Sequence, residues 1–357
     1  MKDIASPGPK SRAAQFRARA ELAIARGLFN LPSPWQRRIA GRALELDGQR
    51  LHPDMQLLLT TMRLRTGRAS LSADTVEAAR VNMHDGATRY ADAPEVGMVR
   101  NFEIETVNGP LGVRHYAPIG AASAPLLVFL HGGGFALGDL DTHDLPCRLL
   151  CRDSGVHILS VDYRLAPEHP WPAGLEDAHA ALNWASEHAA DLGADPTRLA
   201  IGGDSAGGNL SAVVAREWAE QGGQSLRAQL LIYPCTDLLE QRPSRKLFGE
   251  GLFLTSKDMD WFNQMYVQPV DRGDPRVSPL RAANLSGVAP AVVVTAGFDP
   301  LRDEGEAYAV ALQKAGNHVT SWREPGLIHG YLNYAGVSRE SRDAVKRIAT
   351  EFRALVR

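Results

Sequence analysis

The sequence predicts an α/β fold with a mostly parallel central sheet flanked by helices. Two observations predict it. Beyond about residue 116, short continuous apolar runs alternate with amphipathic segments of helical length, a pattern typical of a parallel sheet covered on both faces. The chain of 357 residues, 44% hydrophobic and 22% charged, also has the length and composition for one large globular domain plus an extra element.

The first hundred residues are predicted to be mostly helical, with helices over 10–29, 54–64 and 72–81. Ser72, followed by Asp74 and Glu77, resembles a helix start. The first helix carries four arginines and a single acid, Glu21. We expect a solvated helix lying over the main domain, and the alternative is a membrane-surface or transit helix.

An antiparallel hairpin is predicted next, over 101–116, with its turn at Asn108-Gly109. The later apolar runs predict strands at 126–130, 157–163, 199–201, 229–233, 291–296 and 318–322. The segments between and after them predict helices at 145–153, 174–187, 208–220, 303–315 and 340–356. Residues 238–274 interrupt this alternation and are rich in aromatic side chains, so we expect an insertion that forms a lid with the N-terminal helices.

Residues 203–207 read G-D-S-A-G between the apolar run at 199–201 and a helical run at 209–219. In a strand–turn–helix setting, G-x-S-x-G predicts a nucleophilic serine on a sharp turn, with the glycines leaving room for the backbone. Ser205 is therefore the candidate nucleophile. Glycine and serine are also common in ordinary turns, so the pattern needs partners elsewhere in the chain.

A serine nucleophile needs a base and an acid that orients the base. Asp299 follows the strand at 291–296, and His329 follows the strand at 318–322. These two residues come after Ser205 in the order Ser, Asp, His expected for a hydrolase with this turn. Asp303 is the rival acid and His318 the weaker base, because Asp303 fits a helix start and His318 a strand entrance.

The glycine run that begins after His131 directly follows the strand at 126–130. Such a loop exposes backbone N–H groups to a developing oxyanion, and we expect Gly133, Gly134 and Ala206 to supply them. A phosphate cradle or dinucleotide site is disfavoured, because no Lys-Ser/Thr pair follows and G-x-G-x-x-G is not met.

Four candidate ligands lie close together after this loop, at Asp139, Asp141, His143 and Asp144. The segment lacks EF-hand spacing and precedes a helix, so we expect helix capping and hydrogen bonding to the glycine loop, and no metal. Three cysteines are too few for a disulfide framework, and they fit small buried hydrophobic groups in a reducing cytoplasm.

The formal net charge of −2 carries no electrostatic footprint for nucleic acid. No apolar run reaches the length of a membrane span, and the N-terminus lacks the apolar core of a signal peptide. We therefore expect a cytoplasmic protein that acts on a small molecule. A homodimer is left open.

The motifs together resemble the bacterial hormone-sensitive-lipase-like esterases, family IV of the α/β-hydrolase superfamily. The matching stretches are H-G-G-G at 131–134, Y-R-L-A-P-E-H-P at 163–170, G-D-S-A-G at 203–207, D-P-L-R-D at 299–303 and I-H-G at 328–330. The resemblance implies an α/β-hydrolase fold with a helical cap, the subgroup named for its G-D-S-A-G pentapeptide, and no cofactor. It also implies that Glu168 is a buried structural acid.

The resemblance further implies a Ser205–His329–Asp299 triad that hydrolyses short- to medium-chain acyl esters through an acyl-enzyme. The domains expected are a cap over 1–100 and a catalytic domain over 101–357, with a second cap insertion at 238–274. Residues that are candidates for the acyl pocket are Phe135, Leu137, Leu252, Phe253, Trp261, Phe262 and Met265, with core packing as the alternative. An amidase or lactone hydrolase with the same triad, or a non-catalytic binder of this fold, remains the alternative function.

Overall fold

The computed structural model describes residues 2–3, 23–67, 69–89, 93–120, 123–222, 224–267 and 271–357. Its N-terminal part contains a short strand, β1 (Lys2–Asp3), and helices α1 (23–29) and α2 (Ser33–Ala40). A small hairpin of β2 (Glu45–Leu46) and β3 (Gln49–Arg50) follows, and then α3 (Pro53–Thr66) and α4 (Val76–Arg89). Of the helix predicted at 10–29, residues 10–22 lie outside the described residues. Neither α2 nor the small hairpin was predicted.

Helix α4 begins four residues later than predicted, because the segment before it is held by another part of the chain. Asp258 accepts hydrogen bonds from the Ser70 hydroxyl (2.7 Å) and from the Ser72 backbone N–H (2.9 Å). The first turn of α4 is then capped by the hydroxyl of Thr75, which accepts from the N–H of Ala78 (3.2 Å). The helix start expected at Ser72 is therefore wrong.

The part of the chain that was predicted to be the catalytic domain begins with a hairpin of two strands, β4 (Met98–Thr106) and β5 (Gly109–Ala117). Its two-residue turn is Val107-Asn108, one residue earlier than predicted, since Thr106 pairs directly with Gly109. The remaining strands are β6 (Ala124–Leu130), β7 (His157–Val161), β8 (Ala194–Asp204), β9 (Ala228–Ile232), β10 (Ala291–Phe298) and β11 (Val319–Ile328). The helices are α5 (Asp144–Ser154), α6 (Ala173–His188), α7 (Ala206–Glu220), α8 (Pro243–Phe248), α9 (Ser256–Tyr266), α10 (Arg302–Lys314) and α11 (Arg339–Val356).

In the described part of the chain the main sheet has the strand order β1-β4-β5-β7-β6-β8-β9-β10-β11. The strands from β7 to β11 in this order pair in parallel, and β1, β4 and β5 add an antiparallel edge. The predicted mostly parallel sheet is confirmed. Its parallel strands all end at one edge, where functional loops of α/β proteins gather.

Two apolar cores lie on the two faces of the sheet. Along β6, Leu126, Val128 and Leu130 join the core that includes residues of α6, α7 and α10, whereas Leu127 and Phe129 join the core that includes residues of α3, α5 and α11. This alternation follows from the two-residue period of a strand. Both faces are therefore buried, which explains the continuous apolar runs in the sequence.

The cysteines do not form disulfides. Cys147 and Cys151 are free and buried on α5, as predicted, and Cys235 is free and half-buried after β9. Among the residues that the structure describes, no helix combines the length and the apolar character needed to cross a bilayer.

Candidate active site

Ser205 occupies a sharp turn between β8 and α7. Its φ of 53° and ψ of −115° are unusual for a residue with a side chain. A Cβ at Gly203 or Gly207 would collide with the backbone oxygen of Leu130, so the turn needs glycine at both positions. The hydroxyl therefore stands at the N-terminus of α7, on a turn with a glycine two residues away on either side.

His329 and Asp299 meet Ser205 at the same edge of the sheet. His329 directly follows β11 and Asp299 directly follows β10. The Nε2 atom of His329 lies 2.9 Å from the Ser205 Oγ, and its Nδ1 atom lies 2.8 Å from the Asp299 Oδ2. Asp299 is fully buried, and its Oδ1 accepts a hydrogen bond from the N–H of Leu301 (2.8 Å). With a proton on Nδ1, the imidazole donates to Asp299 and accepts from Ser205.

The rival acid and base lie elsewhere. Asp303 accepts a hydrogen bond from the N–H of Ser244 (2.8 Å) and pairs with Arg302 (2.9 Å), as befits an acid in the first turn of α10. His318 is exposed, just before β11 begins. The structure thus brings Asp299 and His329 to Ser205, and it does not bring Asp303 or His318 there.

The glycine loop beside Ser205 leaves backbone amides free. Gly132 donates its N–H to the Asp204 Oδ1 (2.8 Å), whereas the N–H groups of Gly133, Gly134 and Ala206 have no acceptor among the described residues. These three residues line the same cavity as Ser205 and His329. Gly133 and Gly134 have φ values of 131° and 61°, and a Cβ would strike the Leu137 backbone oxygen or the Phe262 ring. Only glycine fits the two positions.

Asp204, the second residue of the pentapeptide, holds this loop against β8, a role that the sequence analysis missed. Besides Gly132, its carboxylate contacts the Nε2 of His143 (3.2 Å) and accepts from the hydroxyl of Tyr233 (3.3 Å). Burial disfavours the charge, but His143 and the Gly132 N–H outweigh it and hold the pKa of Asp204 below its usual value. The only sequence signal for this role is an acid beside the nucleophile.

The four candidate ligands after the loop are engaged in hydrogen bonds and ion pairs. Asp141 and Asp144 pair with Arg114 (2.8 and 3.2 Å), and His143 contacts Asp204. Asp139 accepts from the N–H of Thr142 (2.6 Å). The expected link to the glycine loop is therefore indirect, through His143 and Asp204. Among the described residues, no group of three or more His, Cys, Asp or Glu side chains is placed to hold a metal ion.

A cavity of about 230 Å³ opens over Ser205. One part of its wall comes from α3, α4 and residues 70–72, and another from residues 235–263. Phe135, Phe253 and Phe262 line it. The other pocket candidates, Leu137, Leu252, Trp261 and Met265, do not line it and pack instead in the apolar cores.

Glu168 is not the buried acid that the resemblance implied. Its side chain is 47% exposed and forms a two-pronged ion pair with Arg80 of α4, at 2.8 and 2.7 Å. Hydrogen bonding to Arg80 lowers the pKa of Glu168 to about 2. Arg80 also donates to the backbone oxygens of Ala136 and Ala166. The pair joins α4 to the two loops at the surface of the molecule.

A serine, histidine and aspartate at the carboxyl edge of a parallel sheet, beside a glycine loop that lines the same cavity, define an α/β-hydrolase. Residues 127–333 match a family model described as alpha/beta hydrolase fold. The carboxylic ester hydrolase LipN of Mycobacterium tuberculosis is 47% identical over 91% of this chain and 88% of its own. The ethyl acetate hydrolase of Pseudomonas putida is 37% identical over 83% of this chain and 96% of its own.

Comparison with solved structures leads to the same fold. An ester hydrolase from the metagenome of Lake Arreo, complexed with a derivative of bipyridine phosphonate, has a TM-score of 0.82 and 41% identity over 85% of this chain and 98% of its own. The chain belongs to the α/β-hydrolase esterases of the hormone-sensitive-lipase-like family, so the family expected from the motifs is confirmed. It is an ester hydrolase.

Proposed function

We propose that the protein is a serine carboxylesterase in which Ser205 is the nucleophile, His329 the general base and acid, and Asp299 the residue that orients His329. The observation that carries the proposal is the chain of contacts from Asp299 through His329 to the Ser205 Oγ, at 2.8 and 2.9 Å. These distances are within the range in which a base takes the proton of a nucleophile.

In the first half of the reaction, His329 takes the hydroxyl proton as the Ser205 oxygen attacks the ester carbonyl carbon. The carbonyl π electrons move to oxygen, and the N–H groups of Gly133, Gly134 and Ala206 are the donors that we propose for the oxyanion. When the tetrahedral intermediate collapses, the bond to the alkoxy oxygen breaks and His329 gives its proton to the departing alcohol. Asp299 stabilises the imidazolium without taking the proton.

In the second half, water replaces the alcohol. His329 takes a proton from water as the water oxygen attacks the acyl carbon of the Ser205 ester, and the same three amides face the new oxyanion. Collapse breaks the bond to the Ser205 oxygen, which recovers its proton from His329, and the carboxylic acid leaves. The reaction consumes one ester and one water and uses no redox step.

The two wall segments are proposed to act as one cap. Asp258 at the start of α9 accepts hydrogen bonds from Ser70 and Ser72, which precede α4. Burial alone would raise the pKa of Asp258, but the hydrogen bonds from these serines outweigh it, so the pKa is lowered and the carboxylate stays charged. Ser70 also pairs with Phe253 in an isolated β-bridge. These contacts tie the N-terminal part of the chain to the insertion at 238–274 above the cavity.

The cavity supports short- to medium-chain acyl esters as substrates. Its volume of about 230 Å³ lies below the roughly 300–1,000 Å³ typical of sites for drug-sized ligands. Much of its lining is apolar, and relatives include an ethyl acetate hydrolase and an acetyl esterase. The free thiols of Cys147, Cys151 and Cys235 are compatible with the proposed cytoplasmic location.

The proposal is tested with p-nitrophenyl esters from acetate to dodecanoate. We expect kcat/KM to be highest for the shorter acyl chains, and Ser205→Ala to lower turnover roughly 10⁴–10⁶-fold. Ser286→Ala, at an exposed position, is the matched control and should act like the wild type. A Ser205→Ala variant that stays active on p-nitrophenyl butyrate contradicts the proposal.

A further inference from the structure

Asn263 is a buried residue in the wall of the active-site cavity, and its side chain has no hydrogen-bond partner within the described part of the chain. The residue is 7% exposed and lines the same cavity as Ser205. Its backbone oxygen accepts from the N–H of Val267, but none of the residues in the described ranges hydrogen-bonds to its carboxamide. Its amide atoms are not among the fully enclosed unpaired side-chain atoms, so the carboxamide is reachable from the cavity, and a reachable, unused amide in the wall of an active-site cavity points to a ligand.

The position of Asn263 is fixed by the helix that carries it. Helix α9 starts with a capping box in which the side chains of Thr255 and Asp258 each bond the backbone of the other. Met259, Phe262 and Asn263 all line the cavity, at the spacing of three and four residues that places side chains on one helix face. The Phe262 ring lies against Gly134, so the amide is one residue from a side chain that touches the glycine loop.

The charged side chains on the same wall are paired with opposite charges. Asp237 pairs with Arg281 (2.8 Å), and Arg245 pairs with Asp260 (2.6 Å). A ligand group at Asn263 therefore meets no unbalanced charge from these residues.

Elsewhere in the lining, the polar side chains are either engaged or more exposed. Ser70 and Ser72 are held by Asp258, and Asn333 donates to the Thr142 backbone oxygen. Arg65 and Asn82 also lack a partner in the described part of the chain, but both residues are exposed. Asn263 alone in this lining, as far as the structure describes it, combines deep burial with an unused side chain.

We propose that Asn263 binds a hydroxyl group on one arm of the substrate, so that the enzyme prefers hydroxylated esters over purely apolar ones. A carboxamide offers two N–H donors and a carbonyl acceptor, which match the acceptor and donor of a hydroxyl. A site built to hydrogen-bond a substrate group discriminates strongly against the analogue that lacks the group. The inference rests on the proposed esterase function and adds a substrate class to it.

The test uses two matched ester pairs in a pH-stat assay. Ethyl 3-hydroxybutyrate against ethyl butyrate places the hydroxyl on the acyl arm, and 2-hydroxyethyl butyrate against propyl butyrate places it on the alcohol arm. We expect the wild type to favour the hydroxylated member of one pair in kcat/KM, and Asn263→Leu to reduce that preference at least ten-fold. Asn183→Leu, at an exposed position of α6, is the control and should keep the preference.

Asn263→Asp keeps the shape of the side chain and an acceptor but loses the N–H donors, so it should show an intermediate preference even where the leucine variant folds poorly. Equal kcat/KM within both pairs in the wild type overturns the inference, and so does a preference that Asn263→Leu retains. A wild type that hydrolyses none of the four esters overturns the proposed function itself, which distinguishes the two failures.

Discussion

Replacing Asp204 by asparagine tests whether the buried carboxylate holds the glycine loop. The Asp204 Oδ1 accepts from the Gly132 N–H at 2.8 Å and lies 3.2 Å from the Nε2 of His143. An asparagine side chain has the same shape and can place its oxygen at both contacts, but it carries no charge. Hydrogen bonds to a charged group are worth about 1.5–3 kcal/mol and neutral ones about 1 kcal/mol, so the weakened Gly132 hydrogen bond, together with the weaker electrostatic contact with His143, gives a loss of about 2 kcal/mol in the free energy of unfolding.

The same change should lower turnover. The Gly132 amide fixes the start of the loop that carries Gly133 and Gly134, and one oxyanion donor is worth roughly 3–4 kcal/mol. If the Gly132 hydrogen bond is weaker, the loop is held less firmly and part of that stabilisation is lost. We therefore expect kcat for p-nitrophenyl butyrate to fall about ten-fold, equivalent to about 1.4 kcal/mol. Asp343→Asn, at an exposed position of α11, is the matched control.

The stability difference between the wild type and Asp204→Asn should depend on pH in a defined direction. The folded-state pKa of Asp204 is lowered, chiefly by His143 and the Gly132 N–H acting against burial. The charge therefore contributes stability above the unfolded pKa, and the contribution is lost as pH falls through the folded pKa. Urea unfolding should show the full difference between wild type and variant at pH 7 and a smaller one below pH about 4. Equal stability and equal kcat at pH 7 would refute the anchoring role.

Three further outcomes are expected. Gly134→Ala should lower kcat at least about 100-fold, because its φ is 61° and the new Cβ meets the Phe262 ring; a kcat within three-fold of the wild type contradicts the oxyanion role that we propose for this loop. Glu168→Gln should cost less than about 1 kcal/mol in thermal unfolding, as for an exposed ion pair, and a larger cost would restore the idea of a structural acid. Burial raises the folded-state pKa of Glu304 to about 8, so the folded chain holds a proton there that the unfolded chain releases near pH 4.5. The free energy of unfolding should then fall as pH rises from about 5 to 8, by up to about 1.4 kcal/mol per pH unit, and Glu304→Gln should flatten that slope in urea titrations. An unchanged slope in the variant argues against a protonated Glu304 in the folded chain.

The catalytic candidates were predictable because their signals are local. Ser205 lies in a strand–turn–helix pattern, and Asp299 and His329 each directly follow a parallel strand, so one sheet edge gathers all three. The anchoring role of Asp204 was not predictable, because its partner Gly132 lies 72 residues away in the chain. Such a contact depends on how two strands lie side by side.

The lining of the cavity was also only partly predictable from the sequence. An aromatic-rich segment at 238–274 predicted a lid, but composition does not tell how a helix is rotated about its axis. On α9, Phe262 and Asn263 face the cavity, whereas Trp261 and Met265 pack in the core. The late start of α4 has a comparable cause, because Asp258 holds the N–H of Ser72 from a position 186 residues further on.

The central claim is that Ser205 is a nucleophile activated by His329. Its most direct test is mass spectrometry of the protein after reaction with diisopropyl fluorophosphate, which transfers one diisopropylphosphoryl group to an activated serine. We predict one label per chain, on the peptide that contains Ser205, with loss of esterase activity in step with labelling, and much slower labelling of His329→Ala. Esterase activity that survives without a label on Ser205, or a label on another serine that abolishes activity, would contradict the account.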